Sequence, residues 1–288
     1  MSELQRISAR TKTVALIGSP IGHSLSPAMH NAAFEKLGLD YVYVGFDIQP
    51  EQLEDSVKGM KALRFAGFNV TMPFKGAVIP YMEELSDAAR LMGAVNCVVI
   101  HDDGTATGNN TDGAGFMRNV RESGVQVEGA RMTIVGAGGA GSAIYTQAAL
   151  DGMDVAVFNR PGKNYDAAEA RIAKIRELCG ADITLHDLND TAALRASIDA
   201  SQLFTNATRV GMAPNEDGCI IQPDMLHEGL AVADVVYNPI ETKLLATAKE
   251  KGCTAISGLG MLLWQAAIGE KMWTGQEMPV DYVREKFF

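Results

Sequence analysis

The stretch Arg131-Met-Thr-Ile-Val135-Gly136-Ala137-Gly138-Gly139-Ala140-Gly141-Ser-Ala-Ile-Tyr145 decides the fold of this chain. A short apolar and β-branched run reads as a strand, and the spacing predicts a helix over 142–150. Between them the glycines satisfy G-x-G-x-x-G in strand–turn–helix context, the arrangement of a dinucleotide-binding α/β domain. Each glycine has a physical task. Gly136 makes the tight turn, Gly138 lets the backbone approach a pyrophosphate, and Gly141 permits close helix–strand packing. The N–H groups and positive dipole end at the helix start then hold the diphosphate. The cofactor-binding residues read from this turn are Gly136, Ala137, Gly138, Gly139 and Ala140.

Downstream, 154–158 is the next strand and runs into Phe158-Asn159-Arg160-Pro161-Gly162-Lys163. A site for NAD normally places an Asp or Glu here to hold the ribose 2′-OH. No carboxylate stands at this tip. Arg160 and Lys163 suit a 2′-phosphate or a stacked adenine, or are simply solvated loop charges. Asn159 can bond the ribose in either case, so NAD and NADP both stay open. Further alternation at 183–185, 202–206 and 232–236 reads as strands, and 260–273 as an apolar helix.

Upstream, Val14-Ala-Leu-Ile17 ends in Gly18 as a strand, and 27–37 has helical spacing closed by Gly38. Residues 41–48 read as a strand, 52–63 as an amphipathic helix, and 67–71 as a third strand. This β-α-β-α-β series implies a largely parallel sheet with helices on its faces. Another strand at 95–100 turns at Asp102-Asp103-Gly104. Residues 105–113 read as a loop introducing a helix at 114–122. The expected fold class is α/β with two domains and an active-site cleft between them. Residues 1–111 plus 258–288 form the substrate domain, and 112–257 form a Rossmann-type domain.

The chain has 288 residues, enough for roughly two domains at about 150 each. Apolar residues at 47% and charged residues at 21% exclude a disordered or fibrous chain. With 25 basic and 35 acidic residues the net charge is −10, which argues against nucleic acid as a partner. Cys97, Cys179, Cys219 and Cys253 form no C-x-x-C, so no metal site is expected and the thiols are read as buried and reduced. Residues 1–18 lack a secretory h-region, and no apolar run reaches the ~20 residues of a membrane span. A cytoplasmic protein without membrane partners is expected.

Three stretches of the first domain carry chemistry. Gly18-Ser-Pro-Ile-Gly-His-Ser24-Leu-Ser26-Pro27 resembles a phosphate loop without G-K-[ST], and its serine pair at a helix start suits a small carboxylate. Ser26 alone reads equally well as a helix N-cap. In Asn69-Val-Thr71-Met-Pro73-Phe-Lys75, the lysine beside Phe74 and Val78 is placed for partial desolvation and acid–base work, or is a surface lysine. Asn110-Thr111-Asp112-Gly113 puts a carboxylate at the domain junction, where it also reads as a helix cap.

Taken with Gly93-Ala-Val-Asn96, Val236-Tyr237-Asn238-Pro239 and Gly258-Leu-Gly-Met-Leu-Leu-Trp-Gln265, these motifs run in family order over essentially the whole chain. The chain resembles the shikimate dehydrogenases, and most closely their quinate/shikimate branch. The resemblance implies reversible NAD- or NADP-dependent oxidation of shikimate to 3-dehydroshikimate in chorismate and aromatic amino-acid biosynthesis, with quinate as a possible second substrate. It implies that Ser24 and Ser26 bind the substrate carboxylate. Lys75 and Asp112 flank the reacting hydroxyl as catalytic residues, Lys75 being the usual proton carrier. Asn96, Asp112 and Gln265 hold the ring hydroxyls, with Thr71, Tyr43 and Tyr237 close by. Val235, Val236, Tyr237, Asn238 and Gly258 reach the nicotinamide end. Arg209 stands where the branch has a basic residue near the cofactor. NADP-specific members typically show Asn-Arg-Thr followed by a further basic residue. Asn159-Arg160-Pro161-Gly162 departs from that pattern, which leaves cofactor choice open.

Two other readings compete. One is a mainly catabolic, NAD-dependent quinate dehydrogenase. The other is a dinucleotide-binding regulator without turnover, which would not need Lys75, Asp112, Ser24 and Gln265 together. A small-molecule substrate and a monomer or homodimer complete the expectation.

Overall fold

In the computed structural model, which describes residues 7–288, the chain divides into two units. One runs to Thr111 and resumes over Ala266–Phe288; the other is Asp112–Gln265. The resumption at Ala266 falls inside the helix Gly258–Thr274, which begins at the 258 of the sequence reading. Residues 1–6, part of the 1–18 stretch read for a secretory signal, lie outside the described residues.

Unit 1 grows from β1 (Lys12–Gly18), whose Val14, Ala15, Leu16 and Ile17 are all buried. Helix α1 (Ser26–Leu37) stops at Gly38, which takes the left-handed φ of 66° that closes a helix. Then follow β2 (Tyr41–Asp47), α2 (Leu53–Ala62) and β3 (Gly67–Val70), with β1 parallel to both strands. Next come β4 (Glu84–Leu85), α3 (Asp87–Met92), β5 (Cys97–Ile100) and β6 (Ala106–Asn109). The sheet order is β2-β1-β3-β5-β6-β4.

The sheet is largely parallel, as the sequence implies, with β5 alone reversed and antiparallel to both β3 and β6. One expectation needs correction here. The segment 105–113, read as a loop, contains β6. Ala-Thr-Gly-Asn has little strand propensity, and its pairing with β5 makes it a strand. The tight turn at Asp103-Gly104, with Gly104 at φ 87°, directs the chain back along β5.

Unit 2 begins with α4 (Asp112–Glu122), two residues earlier than the sequence spacing predicts. It continues through β7 (Arg131–Val135), α5 (Gly139–Leu150), β8 (Asp154–Asn159), α6 (Lys163–Cys179), β9 (Ile183–Asp187) and α7 (Thr191–Asp199). Then come β10 (Leu203–Asn206), β11 (Ala231–Asp234), α8 (Lys243–Glu250) and β12 (Thr254–Ile256). Helix α9 (Gly258–Thr274) crosses back to unit 1, where α10 (Val280–Phe287) ends the chain. All pairs in the second sheet are parallel, in the order β12-β11-β10-β7-β8-β9. This is the doubly wound dinucleotide-binding order, with its topological switch between β7 and β10.

Within unit 1, Trp273 of α9 is buried and its Nε1 donates to the Val98 carbonyl at 2.9 Å. A side chain at Gly67 would collide with that contact. None of the four cysteines forms a disulfide; Cys97 and Cys253 are buried, but Cys179 is exposed at the end of α6, against the expectation of buried thiols. Among the described residues no helix is long and apolar enough to cross a membrane.

His186 on β9 stacks on Phe158, with ring centroids 4.9 Å apart. Burial first, and then the charge of Arg131, lower its pKa, while Asp190 opposes. The folded chain therefore takes up this proton less readily than the unfolded chain. The stability contribution is complete above the ordinary histidine pKa of about 6.5 and is lost as pH falls below it, through the lowered value of the folded chain. Urea midpoints of His186→Gln should fall less steeply with acidification than those of the parent. Parallel pH profiles would remove His186 as a source of acid sensitivity.

Candidate functional site

The antiparallel strand explains how unit 1 assembles its polar cluster. The amino end of β5 lies beside the carboxyl ends of β3 and β6, so Asn96 meets residues leaving both strands. Its N–H donates to the Asn109 carbonyl, and its own carbonyl accepts from the Val70 N–H and the Asn69 Nδ2. The Asn96 side chain is buried and clasps Thr111: Oδ1 accepts the Thr111 N–H at 2.8 Å, and Nδ2 donates to Thr111 Oγ1 at 3.1 Å. Thr71 leaves β3 and donates its N–H to the Ile17 carbonyl. Lys75 is half-buried beside buried Phe74 and Val78, and its carbonyl accepts the Val95 N–H at 2.8 Å. The lysine backbone is thus tied to the residue preceding Asn96.

Tyr43 brings the serine segment into the same cluster. The ring is 2% exposed, and its hydroxyl donates to Asn69 Oδ1 at 2.6 Å. Burial pushes the phenol well above its usual pKa, Cys97 adds to this, and a hydrogen bond involving Ser26 opposes it. Tyr43 is therefore a neutral hydrogen-bonding group at any ordinary pH. The N-cap of α1 is Leu25, without a side-chain cap, so the helix does not consume the Ser26 hydroxyl as a cap. Ser24 Oγ accepts the Ser26 N–H at 3.3 Å, which holds the two serines in one turn. Asn69, which sequence reasoning quoted only as part of a motif, is the buried hub between Tyr43 and Asn96.

In unit 2 the glycine turn has the expected physical form. Gly136 has φ 110°, and a Cβ there would meet the Ala207 carbonyl oxygen at 2.8 Å. At Gly141 a Cβ would lie 2.0 Å from the Gly136 carbonyl oxygen, so helix and turn touch through bare backbone. At Gly138 nothing comes nearer than 4.0 Å, and at Gly139 nothing lies within 4 Å. Space is open where a diphosphate would approach. Helix α5 starts at Gly139, so Gly139 and Ala140 already form its first turn. Asn159 Oδ1 accepts the Ala137 N–H, and Asn159 Nδ2 donates to the Arg160 carbonyl. The end of β8 thereby holds the turn.

A cavity of about 410 Å³ opens beside this turn, lined in part by Asn159, Arg160, Lys163, Asn164, Thr208 and Val210. Its lining includes two cations and no carboxylate. Arg209 is exposed and absent from that lining, although both its neighbours belong to it. The turn and the cavity together fit a dinucleotide. Asn164 and Thr208 were not read from the sequence. Asn206-Ala-Thr208, at the end of a strand at the switch point, was the available signal.

The remaining residues of unit 2 lie at other strand and helix ends. Val235 is half-buried, Val236 buried, and Tyr237 and Asn238 exposed. Gly258 faces them closely, since a Cβ there would meet the Val235 carbonyl oxygen at 2.5 Å. Gln265 is half-buried on α9, and Gly115 of α4 leaves room for its backbone. Asp112 is the half-buried first residue of α4, immediately after the clasped Thr111.

Comparison with known proteins bears on what this arrangement does. A family model described as the shikimate dehydrogenase substrate binding domain matches residues 16–98. Another, described as the shikimate 5′-dehydrogenase C-terminal domain, matches residues 258–286. The chain is 49% identical to a shikimate dehydrogenase (NADP(+)) of Listeria monocytogenes, over 99% of this chain and 98% of the relative. A crystal structure of shikimate 5-dehydrogenase from Listeria monocytogenes in complex with shikimate and NAD superposes with a TM-score of 0.95, at 49% identity and 98% coverage of both chains. Quinate dehydrogenase from Corynebacterium glutamicum in complex with NAD has a TM-score of 0.85 at 32% identity, covering 96% of this chain and 98% of that one.

The two kinds of glycine should behave differently. Gly141→Ala forces a Cβ onto a carbonyl oxygen and should cost about 1–3 kcal/mol of unfolding free energy. Gly139→Ala meets open space in a helix and should match or exceed the parent. Equal denaturation midpoints for the two variants would contradict this packing.

Proposed function

Because this chain belongs to the shikimate dehydrogenase family, we propose that it catalyses the reversible NAD(P)-dependent oxidation of shikimate to 3-dehydroshikimate, a step of aromatic amino-acid biosynthesis. The observation carrying this reading is the pairing of two sites in one chain. One is a hydroxyl and amide cluster around Asn96, Tyr43 and Thr71 beside Lys75; the other is an open glycine cradle at Gly136–Gly141. A cytoplasmic location belongs to the same reading, because the NAD(P)(H) pool it draws on is intracellular.

The roles follow from the chemistry. Ser24 and Ser26 donate hydroxyl hydrogen bonds to the substrate carboxylate, with neutral Tyr43 behind them. Asn96, Asp112 and Gln265 select the ring hydroxyls, with Thr71 and Tyr237 at the margin. Lys75 takes the proton of the hydroxyl being oxidised, and Asp112 orients that lysine and the hydroxyl. The bound nicotinamide supplies the hydride acceptor. Oxidation releases a proton, so higher pH favours it and lower pH favours reduction.

Backbone around Gly136, Ala137, Gly138, Gly139 and Ala140 binds the diphosphate at the start of α5. Val235, Val236, Tyr237, Asn238 and Gly258 border the nicotinamide. The cavity bearing Arg160 and Lys163 takes the adenosine end, and Arg209 adds charge nearby. Two cations without a carboxylate favour a 2′-phosphate and therefore NADP, with NAD as the alternative.

Lys75→Ala and Asp112→Ala should each lower kcat by about two orders of magnitude or more. Near-parental turnover in both would remove their catalytic assignment. A matrix of kcat/KM for shikimate and quinate, each with NAD and NADP, tests the substrate and cofactor preference. Shikimate with NADP should give the highest value. A quinate and NAD optimum would transfer the assignment to the catabolic activity, and the absence of NAD(P)H formation with either alcohol would leave only dinucleotide binding.

A further inference from the structure

We propose that Asp234 is a positioning residue that holds the two loops bordering the cofactor, 208–210 and 235–237, in one geometry. The proposal rests on the dinucleotide reading given above. Asp234 ends β11 and is 1% exposed. Its carboxylate receives three donors from three segments. Oδ1 accepts from Asn206 Nδ2 at 2.9 Å and from the Val236 N–H at 3.0 Å, and Oδ2 accepts from Thr242 Oγ1 at 2.7 Å.

One arm of this network reaches the adenosine-side cavity. Asn206 Oδ1 accepts the Thr208 N–H at 3.1 Å and the Thr208 hydroxyl at 2.7 Å. Thr208 Oγ1 accepts the Val210 N–H at 3.1 Å, and Asn206 Nδ2 donates to the Val210 carbonyl at 3.2 Å. Thr208 and Val210 both line the 410 Å³ cavity. The other arm fixes the chain leaving β11 through the Val236 N–H, next to the Val235–Gly258 contact. The third donor, Thr242, is also the N-cap of α8, where its Oγ1 accepts the Leu245 N–H. The loop after β11 is therefore pinned at both ends.

The choice of a carboxylate has a physical logic. Burial of this group without a cationic partner is unfavourable, and burial indeed raises its pKa against the three hydrogen bonds. A carboxylate can accept on both oxygens at once, whereas an amide can accept on only one. Only an acidic side chain joins donors from the end of β10, the chain leaving β11 and the N-cap of α8 in this way. A group whose sole role was to fill the core would be apolar.

Calorimetric titration of NADH and NADPH into the full chain tests this without reference to turnover. The variants are Asp234→Asn, Asn206→Ala, Thr242→Val and Thr242→Ser, each folded by circular dichroism at the titration temperature. Asp234→Asn and Asn206→Ala should weaken both dinucleotides about tenfold, the scale of one lost buried hydrogen-bond partner. Thr242→Val should weaken them about threefold, and Thr242→Ser should restore parental affinity. Parental affinity in Asp234→Asn and Asn206→Ala, with only the melting temperature lowered, overturns the proposal. Should Asp234→Asn not fold, Asn206→Ala decides: unchanged affinity overturns the positioning role and weakened affinity supports it. If the parent itself binds neither dinucleotide, the functional reading fails first and takes this inference with it.

Discussion

In unit 2 every strand runs in the same direction, so the carboxyl ends of β7, β8, β10 and β11 all release chain at one edge of the sheet. Backbone groups that leave a parallel ladder must find new partners, and here they find one another. The Gly136 N–H donates to the Phe158 carbonyl, the Ala207 N–H to the Val135 carbonyl, and the Val235 N–H to the Asn206 carbonyl. The glycine turn, the cationic rim and the Val235–Asn238 segment therefore belong to a single hydrogen-bonded edge. Unit 1 meets the same constraint differently. By reversing β5, it adds the amino end of one strand to the carboxyl ends of its neighbours, and Asn96 joins a cluster that a purely parallel sheet could not have built from 96.

Buried polar groups also join distant elements. Asp234 has a donor for each oxygen. His30 and Glu270 pair at 2.8 Å with both side chains buried. The pair joins α1 to α9 and sets a ring that stacks on Tyr43, with centroids 4.6 Å apart. The polar core of unit 1 thereby orients the tyrosine.

Local rules made much of this legible from residues alone. The helix-stopping role of Gly38, the tight turn at Gly136 and the apolar runs of β1 and β7 each follow from one physical requirement at one place. Elements defined by a distant partner were not legible. Strand β6 exists through β5, and β12 is a three-residue edge strand paired only with β11. Helix α6 buries only Ala168, Ile172 and Ile175 on an otherwise charged surface, too thin a stripe to announce itself. In the candidate site the glycine cradle and the serine pair were visible as motifs. Asp234 and Asn206 were not, because a buried carboxylate ending a strand looks like any loop acid until its donors arrive from 206, 236 and 242.

The net charge of −10 then acquires a local meaning. Both shikimate and a dinucleotide are anions, and the field of the whole chain repels them. That field is screened over about 8 Å at physiological salt, so affinity must come from groups within contact distance. For the proposed substrate the half-buried serine segment offers hydroxyls, neutral donors that add no charge to bury, and Lys75 is the cation of the same proposed site. For the proposed dinucleotide the cavity offers Arg160 and Lys163, exposed cations that stay solvated on its rim. Under these proposed roles an acidic chain would recognise anions through local donors, with most of the cations kept at the open site where their desolvation penalty is small.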